Sequence, residues 1–185
     1  MKRKTMLTIA VAAGAVAVLG GAAVFAQDKD KYSVKVPGGL SFSEFRGYED
    51  WAIIATHRNG NFMNVIVGDP VVMDAFRGGI PGNGKPFPDG SKMAKIEWRP
   101  VKNTALSYEE PADLYHVEFM VKDGKRFADS GGWGYAVFAY DAASDSFAPG
   151  GLDHHPPQGN DAKCGAACHT IVQGKDYVFT DYATR

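Results

Sequence analysis

Cysteine is scarce in this 185-residue sequence, which contains only Cys164 and Cys168. An excess of charge of one sign is also lacking, because 20 basic residues stand against 21 acidic ones, for a formal net charge of -1. That balance argues against a protein that binds nucleic acid or a membrane surface. There is no internal repeat and no low-complexity tract after the N-terminal segment, so the rest of the chain is expected to form one domain.

The N-terminal segment, residues 1–26, has the pattern of an export signal. Three basic residues precede an apolar run rich in Ala, Val and Gly, and small residues stand where signal peptidase would cleave after residue 26. An uncleaved membrane anchor is the alternative, since the run approaches the length that spans a bilayer, but its Gly and Ala content favours cleavage. We therefore expect a periplasmic protein with a leader over residues 27–40, a domain over residues 41–185 and no membrane association after cleavage.

The two cysteines stand close together, and the second is followed at once by His169. Two thiols and an adjoining imidazole are what covalent haem attachment needs, because each thiol can add to one porphyrin vinyl group and the imidazole can bind the iron. The usual signature has two residues between the cysteines, whereas this chain has three. Gly165, at the start of the insertion, offers little steric resistance to a turn that absorbs it.

Two other interpretations of the cysteines remain open on spacing alone. In an exported protein a cysteine pair is often a disulfide. Alternatively, the thiols and His169 could join His154 and His155 in a zinc or copper site, since thiolate and imidazole are the ligands that these ions prefer.

The pattern of the remaining chain predicts an α+β fold built mainly on an antiparallel sheet. A hairpin is expected over residues 51–67, a short helix over 71–77 with Asp69 as its cap, and further strands over 91–98, 114–121 and 132–140. Short turns between the strands favour antiparallel pairing. A helical turn is expected to begin near Cys164.

Several separated motifs occur in an order that resembles the cytochrome P-460 family. They are Phe-Pro-Asp-Gly at 87–90, Met-Val-Lys-Asp at 120–123, Gly-Gly-Trp-Gly-Tyr at 131–135, the cysteine motif at 164–170 and Asp-Tyr-Val-Phe-Thr at 176–180. The resemblance implies a periplasmic, mostly antiparallel β protein that forms a homodimer and carries one covalent haem c per chain. It also implies that Cys164 and Cys168 hold the haem and that His169 is the iron ligand.

The family contains two chemistries, and the resemblance leaves both open. Cytochrome P-460 proper oxidises hydroxylamine, is also linked to nitric oxide, and has a lysine bonded to the porphyrin edge; the related cytochrome c′-beta lacks that bond and binds nitric oxide or carbon monoxide. The position of the lysine corresponds to Lys95, with Lys92 as the near alternative. A solvated strand lysine is the ordinary interpretation of either.

Hydroxylamine oxidation also needs a distal base and an electron acceptor. Glu118, or otherwise Glu97, is the candidate to accept protons, although either could simply face solvent. Candidates for an apolar distal wall are Phe45, Phe62, Phe87 and Phe119, although core packing explains any of them equally well. Electrons must pass to another redox protein, because a single haem stores only one. The sequence thus predicts a haem cytochrome that oxidises hydroxylamine or handles nitric oxide, with a non-catalytic cytochrome and a haem-free exported protein as alternatives.

Overall fold

The computed structural model describes residues 30–183. The predicted export signal and the first residues of the leader lie outside the described residues. Within them, no helix is long and apolar enough to cross a membrane.

One antiparallel sheet of six strands organises the described chain, in the spatial order β1-β2-β3-β4-β5-β6. The strands are β1 (Ala52–Asn59), β2 (Phe62–Gly68), β3 (Lys92–Lys102), β4 (Glu109–Lys122), β5 (Trp133–Asp141) and β6 (Ser146–Pro149). The predicted α+β fold is confirmed. The first hairpin turns at Gly60, whose φ of +55° suits glycine.

Short helices flank the sheet. Helix α1 (Pro70–Arg77) begins as predicted, because the Asp69 side chain accepts a 2.9 Å hydrogen bond from the Val72 N–H and Pro70 occupies the first helical position. Helix α2 (Ala166–His169) follows Cys164 and continues into a 3-10 helix, Thr170–Lys175. The other 3-10 helices span Lys31–Ser33, Phe42–Phe45, Tyr48–Asp50 and Ala128–Ser130.

One face of the sheet packs against the N-terminal part of the domain. The Phe45 ring stacks on that of Phe119 with centroids 4.1 Å apart, and Phe42 contacts Phe138 in the same apolar cluster. The segment expected to be a polar leader contributes to this cluster, because Val36 and Leu40 are fully buried. The described residues before position 41 therefore pack as part of the domain.

The opposite face of the sheet is covered by α1 and the C-terminal segment. Met93 and Met120 from the strands, Phe76 from α1, and Val178 belong to the same apolar cluster. Strand alternation places Lys95 and Glu97 on the same face as Met93, as the sequence predicts. This is the face on which the C-terminal cysteine motif lies.

Asp176 ties the C-terminal segment to the sheet. Its carboxylate accepts hydrogen bonds of 2.7 Å each from the Lys122 ammonium and the Phe87 N–H. Its carbonyl accepts a 2.9 Å bond from the indole N–H of Trp133, which is fully buried. Three separated segments of the chain are thereby held together beside the cysteine motif.

Candidate functional site

A cavity of about 550 Å³ lies between the sheet and the C-terminal segment. Its volume is in the range of sites that hold small molecules and cofactors, roughly 300–1,000 Å³. The C-terminal segment contributes Cys164, Cys168 and His169 to its lining, and the strands contribute Lys95 and Glu118. The structure thus brings all five predicted site residues to one cavity.

The two cysteines are both free thiols, Cys164 partly buried and Cys168 exposed. The Gly159 N–H donates a 2.7 Å hydrogen bond to the Cys164 sulfur. Between the cysteines, Gly165 allows the chain to pack against the sheet, since a Cβ atom there would lie 2.5 Å from the Tyr135 ring. The inserted residue is therefore accommodated by close packing of the turn on β5.

The imidazole of His169 is oriented by a main-chain carbonyl. Its Nδ1 atom lies 2.7 Å from the Tyr177 oxygen, and because a carbonyl can only accept, Nδ1 carries the hydrogen. The Nε2 lone pair is then available to a metal. Burial lowers the pKa of His169, and the bond to Tyr177 opposes this only in part. A neutral, oriented imidazole is the form that binds iron.

Two carboxylates surround the amine of Lys95. Its Nζ lies 2.5 Å from Glu118 Oε1 and 3.4 Å from Glu97 Oε2. Burial would lower the pKa of Lys95, but the two carboxylates raise it above its usual value. Burial likewise would raise the pKa of Glu118, but hydrogen bonding to His116 and the charge of Lys95 hold it below the usual range. An ammonium and a carboxylate therefore face each other at the cavity wall.

His116 is a site residue that sequence reasoning missed. Its ring is fully buried, with Nε2 2.9 Å from Glu118 Oε1 and 3.4 Å from Glu97 Oε1. Cross-strand pairing explains the cluster, because Lys95 lies opposite Glu118 and Glu97 opposite His116. Alternation along the strand already places His116 on the same face as Glu118. The sequence does not give the register of β3 against β4, which brings both residues next to Lys95 and Glu97.

The structure separates the two candidate lysines. Lys95 lines the cavity, whereas the Lys92 ammonium donates a 2.7 Å hydrogen bond to the Glu44 carbonyl beside the opposite face of the sheet. Lys95 is therefore the lysine at the cavity.

The predicted phenylalanine wall is only partly present. Phe62 and Phe119 are among the lining residues, although the Phe119 ring stacks on that of Phe45 in the apolar cluster on the opposite face of the sheet. The expectation is wrong for Phe45, which belongs to that opposite cluster. Phe87 packs in the second apolar cluster with its ring 5.9 Å from Trp133. Phe179 lines the cavity instead, with its ring 4.9 Å from His169.

The zinc or copper alternative is not supported by the described residues. Among residues 30–183, one group of three His, Cys, Asp or Glu side chains has ligand atoms within 4.8 Å of one another, and it consists of Glu97, His116 and Glu118. The cysteines are not in it. His154 instead contacts His116, with 3.0 Å between Nε2 and Nδ1.

The cavity has the chemistry that a covalently attached haem requires. It offers two free thiols and an imidazole whose Nε2 is available to a metal. The hydroxyl of Tyr135, another lining residue, is buried and has no hydrogen-bond partner among the described residues. An unpaired buried hydroxyl at a cavity wall is expected where a ligand supplies the partner. The residues therefore fit the group.

Comparison with known proteins agrees with this chemistry. The model of a family described as Cytochrome P460 matches residues 45–180, which includes the whole sheet, both cysteines and His169. No curated protein matches the chain.

Proposed function

Since the chain belongs to the cytochrome P460 family, we propose that it is a periplasmic mono-haem c-type cytochrome that oxidises hydroxylamine or handles nitric oxide. The family implies a haem cofactor. One haem would be held through thioethers by Cys164 and Cys168, with His169 as the iron ligand. The observation that carries the proposal is the single cavity shared by these three residues and the Lys95–Glu118 pair.

If bound there, a haem would supply an iron site for a small nitrogen ligand and for one-electron transfer. The chain supplies the proton chemistry. Hydroxylamine must lose protons as it is oxidised, and Glu118 can accept them because its lowered pKa keeps it a carboxylate at neutral pH. Lys95 and His116 both hydrogen-bond to Glu118 Oε1, so they hold the carboxylate in position. A redox partner protein would remove the electrons.

A covalent bond from Lys95 to the porphyrin would distinguish the catalytic branch of the family. The side chain is at the cavity, which supports this bond. To react, the amine must lose its proton and leave Glu118, and the carboxylates that raise its pKa oppose that loss. Because the new N–C bond would replace an N–H and a C–H bond, its formation would also require a two-electron oxidant from outside the chain. The free energy of haem binding close to Lys95 would have to offset the cost of deprotonating Lys95 and breaking its ion pair with Glu118.

A gas-binding or electron-transfer cytochrome of the c′-beta type is the second candidate. The ion pair of Lys95 with Glu118 favours it, because an ammonium held at 2.5 Å by a carboxylate is not a nucleophile. This candidate would use the same Cys164, Cys168 and His169 to hold the haem, without turnover.

Export and assembly are parts of the proposal. The basic and apolar pattern of residues 1–26 supports transport to the periplasm, where disulfides and covalent haem are compatible with the environment. Family resemblance supports a homodimer.

Anaerobic mixing with hydroxylamine tests the proposal. The haem-loaded protein, produced with the cytochrome maturation machinery, should reduce an artificial electron acceptor when hydroxylamine is added. Glu118→Gln should lower the rate by about 10²–10⁴-fold, as expected when a general base is removed. Glu110→Gln is the matched control, because Glu110 is on the same strand and bonds instead to Asn103.

The outcomes separate the two candidates. Haem-loaded protein that binds nitric oxide but never reduces the acceptor would favour the c′-beta type. Equal rates in Glu118→Gln and the parent protein would remove Glu118 from the role of base.

A further inference from the structure

A continuous line of hydrogen-bonding side chains leaves the cavity through β4. Glu118 Oε1 lies 2.9 Å from His116 Nε2, and His116 Nδ1 lies 3.0 Å from His154 Nε2. Glu118 lines the cavity. His116 is fully buried, whereas His154 is partly exposed in the loop after β6. The line therefore runs from the cavity, through the protein interior, to a residue that water can reach.

Aromatic packing holds the two imidazoles in this arrangement. The Tyr115 ring lies 4.6 Å from that of His116 and stacks on that of His154 at 5.0 Å, with an interplanar angle of 18°. The pairing of β3 with β4 shifts register beside Tyr115, and such a bulge can re-aim a side chain. The Tyr115 ring also stacks on that of Phe62. His154 is thus positioned by a stack and is not simply a loose loop residue.

The charged and titratable groups around the two rings are few. His116 faces Glu118, Glu97 and His154, and Lys95 is bonded to both carboxylates. His154 is influenced by His116, Asp153, Glu118 and His155. Burial lowers the pKa of His154, and the neighbouring His116 lowers it further. An imidazole with a lowered pKa releases a proton to water more readily than an ordinary one, which suits the outer end of a proton path.

We propose that His116 and His154 form a proton path through which Glu118 exchanges its proton with water outside the cavity. This inference rests on the proposed function insofar as Glu118 receives protons from a ligand in the cavity. Glu118 alone could accept one proton; a path to water would let it be used again.

Each transfer along the path takes one proton from Glu118 and releases one proton to water, and no electrons move. In the outward direction, the proton of the Glu118 carboxyl passes to His116 Nε2, the His116 Nδ1 proton passes to His154 Nε2, and His154 releases its Nδ1 proton to water. When Glu118 is a carboxylate it can only accept, so His116 carries its hydrogen on Nε2 and Nδ1 accepts from His154. An outward transfer leaves both rings with their hydrogens on Nε2, so the rings must return to the Nδ1–H tautomer before Glu118 can donate again. The inward direction is the reverse of the same steps.

A metal ion at Glu97, His116 and Glu118 would be a competing use of this cluster. The Lys95 ammonium argues against it, since it lies 2.5 Å from Glu118 and 3.4 Å from Glu97 and thus supplies the positive charge there. The two side-chain links of the path, in contrast, are hydrogen bonds already formed.

Exchange of the His116 ring hydrogen with water tests the path without requiring turnover. It can be followed by nuclear magnetic resonance on ¹⁵N-histidine-labelled, haem-loaded protein, reduced and treated with carbon monoxide to make the iron diamagnetic. We expect His154→Gln to slow the exchange by roughly tenfold to a hundredfold, because glutamine fills the position but does not carry protons as imidazole does. His154 is partly exposed, so this change should not prevent folding.

His155→Gln is the matched control, since it removes an imidazole from the same loop and leaves the His116–His154 contact in place. Its exchange rate should equal that of the parent protein. Exchange that is equally fast in His154→Gln would overturn the path. If the parent protein fails to oxidise hydroxylamine while His154→Gln still slows the exchange, the proposed function fails and the path stands.

Discussion

His169 Nδ1 lies 2.7 Å from the carbonyl oxygen of Tyr177, eight residues further along the chain. This bond fixes which ring nitrogen is free for iron. The carbonyl is itself held in place because Asp176 and Tyr177 both adopt left-handed backbone conformations, with φ of +49° and +65°. Asp176 is anchored by the buried Lys122. The orientation of the candidate iron ligand therefore depends on an ion pair outside the cavity.

Replacing Asp176 tests that dependence. Asp176→Asn leaves the Lys122 charge without its partner, and a buried ion pair broken on one side typically costs about 3–5 kcal/mol. We expect a loss toward the lower end, because asparagine keeps an oxygen for the Phe87 N–H. Thermal unfolding measures the loss, and the haem absorption spectrum should shift as His169 loses its fixed orientation.

An exposed ion pair provides the control for Asp176. Asp129→Asn removes the partner of Lys163 at the surface, where solvent screens the two charges and such a pair contributes little to stability. If both changes lower stability equally, Asp176 does not have the structural role given to it.

Gly165 is expected to be necessary for haem attachment. A Cβ atom there would lie 2.5 Å from the Tyr135 ring, so Gly165→Ala should push the cysteine turn away from β5 and lower the yield of covalently attached haem. Haem per chain, measured after denaturation and removal of free haem, reports the effect. Gly174→Ala is the control, because nothing lies within 4 Å of its Cβ position. Full haem loading of Gly165→Ala would contradict the packing argument.

Glu118 should make stability depend on acidity. A carboxyl whose pKa is lower in the folded chain than in the unfolded chain contributes stability above its unfolded pKa, about 4.3 for glutamate. That contribution is lost as the pH falls through the folded pKa. The free energy of unfolding, measured with urea at a series of pH values, should therefore decrease on acidification over this range. Glu118→Gln should flatten the slope; an unchanged slope would mean that other groups cause it.

The two strand lysines should differ in their effect on the spectrum. If the ferrous protein shows the red-shifted band that gives the family its name, Lys95→Met should abolish it, because Lys95 is the lysine at the cavity. Lys92→Met should leave it intact, since the Lys92 ammonium bonds to the Glu44 carbonyl. Loss of the band only in Lys92→Met would contradict the placement of these side chains.

The local elements could be predicted from the sequence because their signals are local. The Asn-Gly-Asn turn, the Asp-Pro start of α1 and the spacing of Cys164 and Cys168 each depend on a few adjacent residues. The fold class and the family followed from these signals and their order. Lys95 came from family resemblance and Glu118 from the need for a base on a strand, and the structure brings both to the cavity.

Features that depend on register or on distant contacts could not be predicted. Glu97 lies opposite His116 only in the observed pairing of β3 with β4, whose register shifts immediately after Glu97. His154 reaches His116 across 38 positions of sequence. The side of the sheet on which Phe45 lies could not be predicted, because an aromatic side chain is compatible with either apolar face. Phe45 belongs to a 3-10 helix, and strand alternation does not show which face of the sheet that helix covers.

The mass of the denatured protein is the most direct test of the central claim that Cys164 and Cys168 carry a haem. For protein made with the cytochrome maturation machinery, we predict the mass of the chain plus one haem, no reactive thiol, and retention of the haem through one remaining bond in either Cys164→Ala or Cys168→Ala. Colourless protein with the mass of the chain alone and two reactive thiols would contradict the account.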